Sequence, residues 1–346
     1  MSRRAATLGV STALAVSLGV VGAQLPVPYV ALGPGPVFDT LGTVDPQTRG
    51  ADPIITISGT RTYPADGRLD LTTVSVWGAD RQELDLGTAL RYWLDRDYAV
   101  VPAEIIYPED KSPEELEREV AEEMVESQQT AVTAALTELG IPLTTTIVVA
   151  ELMAGGPAAA ALRKDDVLTA VDGLAVADAE ALRAALRARQ PGDPVRITYR
   201  RGGVTTTVEL RTTASEDAER RPVIGVELRE EQEYPFSVSL RTDDVGGPSA
   251  GLMFALGIIE ALTPESLTDG VHVAGTGTIT AKGEVGPIGG IQQKLIAARR
   301  AGAEHFLVPS GNFADARRSR PDGLQLHDVG SLDNALAALT RIRSAA

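Results

Sequence analysis

Two segments hold the residues whose types and spacing could do chemistry: Gly246-Gly247-Pro248-Ser249-Ala250-Gly251, and further along Gly289-Gly290-Ile291-Gln292-Gln293-Lys294-Leu295. The first puts a serine hydroxyl at the mouth of a helix predicted over Pro248–Leu262, where free backbone N–H groups and the positive end of the helix dipole can stabilise a developing oxyanion. Pro248 cannot donate, so the candidate oxyanion donors are the amides of Ser249 and of Gly246 or Gly247, with glycine letting a substrate carbonyl approach closely. The second segment puts Lys294 on a helix from Ile291 to Ala301, beside Ile291, Leu295 and Ala298 on one face. A lysine among apolar neighbours is partly desolvated, which lowers its pKa from roughly 10.4 towards a range where the neutral amine can take a serine proton. Only four of the 32 basic residues are lysines, and arginine could not serve because it does not deprotonate. The pair therefore reads as a serine nucleophile with a lysine base. Taken singly, Ser249 is an ordinary helix cap and Lys294 a snorkelling surface residue.

The rest of the chain must position that pair. At 346 residues with 43% hydrophobic residues, it is long enough for two or three buried cores. The net charge of −15 offers no basic field for nucleic acid, and the absence of cysteine excludes disulfides, thiolate metal sites and a cysteine nucleophile. No Gly-Lys-Ser/Thr phosphate loop occurs, so ATP binding is not expected, and no metal or other cofactor is called for.

After Arg3-Arg4, residues Ala5 to Leu25 carry no charge, a run of 21 that as a helix would be about 30 Å long, the thickness of one bilayer core. Residues 1–25 are thus expected to form a transmembrane anchor or signal segment, with the bulk of the chain outside the cytoplasm. Val21-Gly22-Ala23 resembles a small-residue cleavage site, and cleavage there would make the protein secreted.

Four regions follow from the patterns: the amino-terminal segment, a β-rich module with a long helix over 36–138, a second module over 139–213 and an α+β module over 223–346. In the first module, Ile54–Ile57 and Leu69–Val76 read as strands joined by the Pro64-Ala65-Asp66-Gly67 turn, and nothing in it looks chemical. The long helix starts at Ser112-Pro113, with Glu115 completing a capping box and Gly140 as terminator.

The segment from Leu139 to Thr213 resembles a PDZ domain of the bacterial protease-associated kind. The resemblance rests on Gly156-Pro157-Ala158, the Asp166-Val167-Leu168 strand and the Asp172-Gly173 turn. It implies a groove between a strand edge and the Asp178–Arg189 helix, where an extended peptide adds as a strand, with the carboxylate-binding loop near Leu139-Gly140-Ile141.

From Val223 to Ala346 the chain resembles the proteolytic domain of Lon, the serine–lysine peptidases of the S16 type. Three motifs carry this in order: Gly247-Pro248-Ser249-Ala250-Gly251; Gly275-Thr276-Gly277-Thr278-Ile279-Thr280 followed by Gly283 to Gly290; and Lys294-Leu295-Ile296-Ala297-Ala298. The whole chain is similar to the membrane-anchored PDZ–Lon-type proteases of Gram-positive bacteria. What the resemblance implies is an ATP-independent endopeptidase in which Ser249 attacks the scissile carbonyl, Lys294 shuttles the proton and Thr276 orients the lysine. Its partners would be unfolded or extended protein substrates, and Lon-type domains often assemble as rings, so a homo-oligomer is within the expectation. Where Lon commonly has an aspartate three residues before the serine, this chain has Gly246, with acids only at Asp243 and Asp244. Two other functions stay open on the residues alone. One is a PDZ adaptor with a catalytically silent Lon-like domain; the other is a Ser-His-Asp hydrolase using His272, His305 or His327.

Overall fold

The protein is described by a computed structural model covering residues 3–44, 52–78, 83–108, 110–215, 220–242 and 245–345, with side chains of the first helix described from Ser11 onward. In chain order its elements begin with α1 (Arg3–Ala23), β1 (Tyr29–Asp39), β2 (Ile55–Ser58), β3 (Arg68–Trp77), α2 (Leu86–Leu94), β4 (Ala99–Pro102) and α3 (Pro113–Glu138). They continue with β5 (Thr144–Leu152), β6 (Val167–Val171), α4 (Ala179–Arg187), β7 (Pro194–Arg201), β8 (Val204–Arg211), β9 (Val226–Glu233) and β10 (Ser237–Leu240). The last stretch adds α5 (Gly251–Leu262), β11 (His272–Gly275), α6 (Ile291–Arg300), β12 (His305–Pro309), α7 (Phe313–Arg318), β13 (Gln325–Val329) and α8 (Leu332–Ala345).

These elements form two compact units, Met1–Ile141 with Phe236–Ala346, and Pro142–Pro235 inserted between them in sequence. The larger unit is built on one mixed sheet in the order β13-β12-β11-β3-β1-β4. The parallel half comes from the carboxy-terminal stretch, and β3 joins it by pairing Arg68–Leu71 with His272–Gly275. On its other side β3 runs antiparallel to β1, which in turn pairs with β4. The strands expected as a separate β-rich module over 36–138 therefore complete the sheet of the carboxy-terminal half. The reason is geometric: β11, β12 and β13 alone would leave the β11 edge and much of the sheet's apolar face unpaired.

Helix α5 is apolar on almost every face, which is the signature of a core helix. Leu252, Met253, Phe254, Ala255, Leu256 and Ile258 are all completely buried. It packs against α3 and β3. Helix α3 starts as its sequence dictates: Ser112 accepts the Glu115 N–H, the Glu115 carboxylate accepts the Ser112 N–H, and Pro113 occupies the first helical position. Gly140, in the left-handed region at φ 65°, ends it.

Helix α1 forms over the uncharged amino-terminal run, with every residue from Ser11 to Val20 exposed. The expected transmembrane segment is nonetheless not found: among the described residues no helix is long and apolar enough to cross a membrane. Ser11, Thr12, Ser17, Gly19 and Gly22 dilute the apolar content of the run.

The smaller unit is an antiparallel sheet in the order β9-β5-β6-β7-β8, with a short Leu174–Ala175 strand on β6. Its core gathers Ile147, Val149, Leu168, Leu182, Ile197 and Ile224. The strand that sequence patterning places at the start of the carboxy-terminal module is β9, and it belongs here, paired with β5 along Val226–Glu233. Alternation identifies a strand but not the sheet that receives it.

Candidate active site

Ser249 lies in a single helical turn, Pro248–Ala250, that runs directly into α5. Gly247 enters that turn at φ 82°, a backbone setting suited to glycine. Lys294 is the fourth residue of α6. That helix starts at Gly290 in the left-handed conformation, so close to β3 that a Cβ there would come within 2.6 Å of a Val74 methyl. The close approach of α6 to β3 is what delivers the lysine to the serine. Lys294 Nζ donates to Ser249 Oγ at 3.0 Å and to the backbone carbonyl of Thr72 at 2.5 Å.

Thr72 comes from the segment in which the sequence showed no chemistry. Its carbonyl is available because the β3–β11 pairing stops at Leu71–Gly275. The Thr72 hydroxyl continues the link by donating to Gly275 O at 3.2 Å. A backbone carbonyl is contributed by any residue type, so no sequence signal could have singled out this partner.

Lys294 is 3% exposed, and among the described residues it has no acidic partner. Burial therefore acts without a compensating charge and pushes the ammonium down from 10.5 to about 8. An amine with that pKa is substantially neutral in mildly alkaline solution and hydrogen-bonded to a hydroxyl, which is the geometry of a general base on its nucleophile.

Thr276 is brought to the site, but not in the role expected of it. Its hydroxyl donates to the Ser249 carbonyl at 3.0 Å, and the Gly277 N–H donates to the same oxygen at 2.9 Å. Thr276 thus fixes the backbone of Ser249, and Thr72 takes the place expected of it beside the lysine.

The candidate oxyanion donors also separate. The Gly247 N–H is directed to the Val120 carbonyl of α3 at 3.4 Å, away from the reacting atoms. Gly246 lies against the same helix, where a Cβ would come within 2.3 Å of a Val120 methyl. Gly246 and Ser249 line the same open cleft, whereas Gly247 does not. Asp243 and Asp244 lie outside the described residues.

The cleft has a volume of about 650 Å³ and runs along Thr72–Trp77 of β3, past Ser249 and Lys294, to Gly289 and Gly290. Leu32, Trp77 and Ile106 give it an apolar wall. None of the three histidines lines it. His272 instead faces the fully buried Asp70, with Nε2 2.5 Å from the carboxylate, and His305 Nδ1 lies 3.0 Å from His327 Nε2. Burial, with the neighbouring His305, pushes His327 down to about 4. A serine–histidine reading of this site therefore has no histidine to use.

The smaller unit carries a second cleft of about 630 Å³ between α4 and β9, lined by Leu182, Leu186, Ile224, Gly225, Val226 and Leu228. β9 ends the sheet, so one of its edges carries unpaired backbone groups. The chain enters this edge strand from Pro222–Val223, a short strand paired with Thr213–Ala214, through Gly225, which is at φ 75° and packed on Gly156. The expected carboxylate-binding loop at Leu139-Gly140-Ile141 is instead the terminator of α3, where the Ile141 N–H donates to Leu136 O. The groove's edge strand, β9, is the last strand of its unit in sequence rather than the first.

Comparison with known proteins matches two segments of the chain, neither of which coincides with one of the two units. Residues 123–212 match the PDZ domain family model, and residues 243–341 match the model of the Lon protease (S16) C-terminal proteolytic domain. The Lon protease of Roseiflexus castenholzii is 40% identical over 96 residues, 28% of this chain and 12% of that protein. Lon protease 1 of Sorangium cellulosum is 40% identical over 101 residues, again 28% of this chain and 12% of that protein. The Lon protease of Azospirillum brasilense is 33% identical over 150 residues, 39% of this chain and 18% of that protein. The chain spans less than a fifth of the length of these curated relatives. Among solved structures, the PDZ domain of an SdrC-like protein from Listeria monocytogenes is 28% identical, covering 24% of this chain and 85% of that one with a TM-score of 0.23. The chain thus carries one segment similar to a PDZ domain and one similar to the Lon C-terminal proteolytic domain, and Ser249, Thr276 and Lys294 all fall inside the latter.

Proposed function

We propose that this protein is a serine endopeptidase with a Ser249–Lys294 dyad, working without ATP on extended or unfolded polypeptide. The observation that carries the reading is the 3.0 Å contact between Ser249 Oγ and a buried lysine whose pKa is brought to about 8. In the first step neutral Lys294 accepts the Ser249 proton as Oγ bonds to the scissile carbonyl carbon, and the carbonyl π electrons move to oxygen. The Lys294 ammonium then returns the proton to the departing amine as the C–N bond breaks, which leaves an acyl-serine. Water hydrolyses that ester with Lys294 again as base. The Ser249 N–H, at the start of its helical turn and without an intrahelical acceptor, is the backbone donor best placed for the oxyanion.

The absence of any Gly-Lys-Ser/Thr phosphate loop supports substrates that need no forced unfolding. An extended segment with an apolar side chain beside the scissile bond fits the wall of Leu32, Trp77 and Ile106. The Arg3-Arg4 pair, the uncharged run after it and the small-residue Val21-Gly22-Ala23 segment support export of the body of the chain. Fractionation of cells carrying the full chain tests that point, and recovery in the cytosol would reject it.

Digestion of unfolded casein without nucleotide tests the activity itself: wild type is expected to cleave and Ser249→Ala is not. Equal inactivity of both would leave the adaptor reading, in which the α4–β9 groove binds peptide and the Lon-like site is silent. The groove is proposed to hold polypeptide by strand addition along β9. Replacing Gly225 by valine puts a β-branched side chain at φ 75° and against Gly156. This variant is expected to raise KM for casein severalfold while kcat/KM for a short peptide stays within about twofold. An unchanged casein KM would argue against a role for the groove in substrate capture.

A further inference from the structure

Helix α3 buries Met124, Ala131, Ala134 and Ala135 with two hydroxyl residues among them, Ser127 and Thr133. A hydroxyl inside a helix ordinarily bonds the carbonyl four residues back, and Thr133 does so, donating to Gln129 O at 3.0 Å. Ser127 does not. It is 7% exposed, and its Oγ reaches out of the helix to donate to the Pro248 carbonyl at 3.0 Å. The approach is tight, since a Cβ on Gly251 would lie 3.0 Å from Ser127 Oγ. Pro248 O also accepts the Gly251 N–H of its own helical turn, so Ser127 takes the second acceptor direction of an oxygen already half engaged.

The carbonyl of Pro248 and the N–H of Ser249 are the two ends of one peptide plane, and that bond is trans. In a trans peptide the C=O and N–H point in opposite directions. A carbonyl held towards α3 therefore turns the Ser249 N–H away from α3. The cavities on the two sides of the turn agree: Pro248 faces a small cavity of about 290 Å³ together with Ser127, whereas Ser249 opens into the cleft with Lys294.

We propose that Ser127 is a positioning residue for peptide hydrolysis, fixing the Pro248–Ser249 peptide so that the Ser249 N–H is aimed at the oxyanion that forms in the cleft. The proposal rests on the peptidase reading above. It gives a role to a hydroxyl from a helix more than 100 residues upstream of the nucleophile.

The test uses the full chain and a short peptide substrate, with kcat, KM and inhibition by a peptide aldehyde measured for wild type, Ser127→Ala and Ser127→Thr. An aldehyde bound to the serine as a tetrahedral adduct places an oxygen where the oxyanion forms, so it reports that donor directly. Ser127→Ala is expected to lower kcat about 10- to 100-fold, with KM within about twofold and the aldehyde weakened by a similar factor, which is the scale of a misdirected oxyanion donor. Ser127→Thr, which keeps the hydroxyl, is expected to recover most of the loss. Alanine is smaller than serine and a better helix former, so the variant is expected to fold, and a thermal melt checks this. A Ser127→Ala enzyme within twofold of wild type in kcat and aldehyde affinity, or a threonine variant as impaired as alanine, overturns the proposal and leaves the peptidase reading intact. A wild type that cleaves no peptide overturns both.

Discussion

Lys294→Met is expected to raise the melting temperature at neutral pH while abolishing peptide hydrolysis. The folded protein holds the lysine at a pKa of about 8 against 10.5 when it is free of the fold. A shift of that size corresponds to about 3 kcal/mol of destabilisation when the group is charged. The hydrogen bonds to Thr72 O and Ser249 Oγ offset about 1 kcal/mol of the gain, since methionine cannot make them. The net is about 2 kcal/mol in favour of methionine, which fills a similar volume and has no charge to desolvate.

The pH window follows from which state binds more protons. Between pH 8 and 10.5 the unfolded chain keeps the lysine protonated while the folded chain has released the proton, so wild-type stability rises with pH across that interval. The advantage of methionine is therefore complete below about pH 8 and gone above about 10.5. Parallel thermal melts at pH 7 and pH 10 read this directly. A methionine variant less stable than wild type at pH 7, with no change in the difference at pH 10, would mean that the lysine carries its charge comfortably in the fold. Stabilisation at the expense of activity is what a catalytic group held in an unfavourable protonation environment should give.

The same site shows how far residue patterns reach and where they stop. Ser249 and Lys294 are legible as candidates because glycine-rich turns, helix starts and a lone lysine among apolar residues are local features, and their order resembles that of one family. The lysine's second partner is not, because a carbonyl of β3 is chemically the same whatever side chain Thr72 carries. Ser127 was hidden for a related reason: helical periodicity marks it as buried but cannot say that its hydroxyl leaves the helix. Strand pairing is less legible than strand identity. Leu69–Val76 reads as a strand in an independent module, yet its partner His272–Gly275 lies about 200 residues on, a distance over which local patterning carries no register. β9 likewise reads as a strand, but its alternation does not show that it pairs with β5 inside the smaller unit. The motif singles out Thr276, but only the three-dimensional arrangement shows that it grips the serine backbone. In each case the missing information was which backbone group meets which side chain.

The proposed dyad also predicts a pH dependence of catalysis. A base must be deprotonated to accept the serine proton, so activity should rise with pH through the lysine's pKa and not fall until another group intervenes. With the lysine at its ordinary value the rise would be centred more than two units higher. Loss of either member should be severe, because a nucleophile and its base act as one unit, and their single deletions in serine proteases cost about 10³-fold or more.

The most direct measurement is kcat/KM for a short peptide from pH 6 to pH 11, with wild type, Ser249→Ala and Lys294→Ala side by side. The expected result is one ascending limb centred near pH 8 for wild type and rates at least about 1,000-fold lower for both variants at every pH. Activity within about tenfold of wild type in either variant would contradict a Ser249–Lys294 dyad.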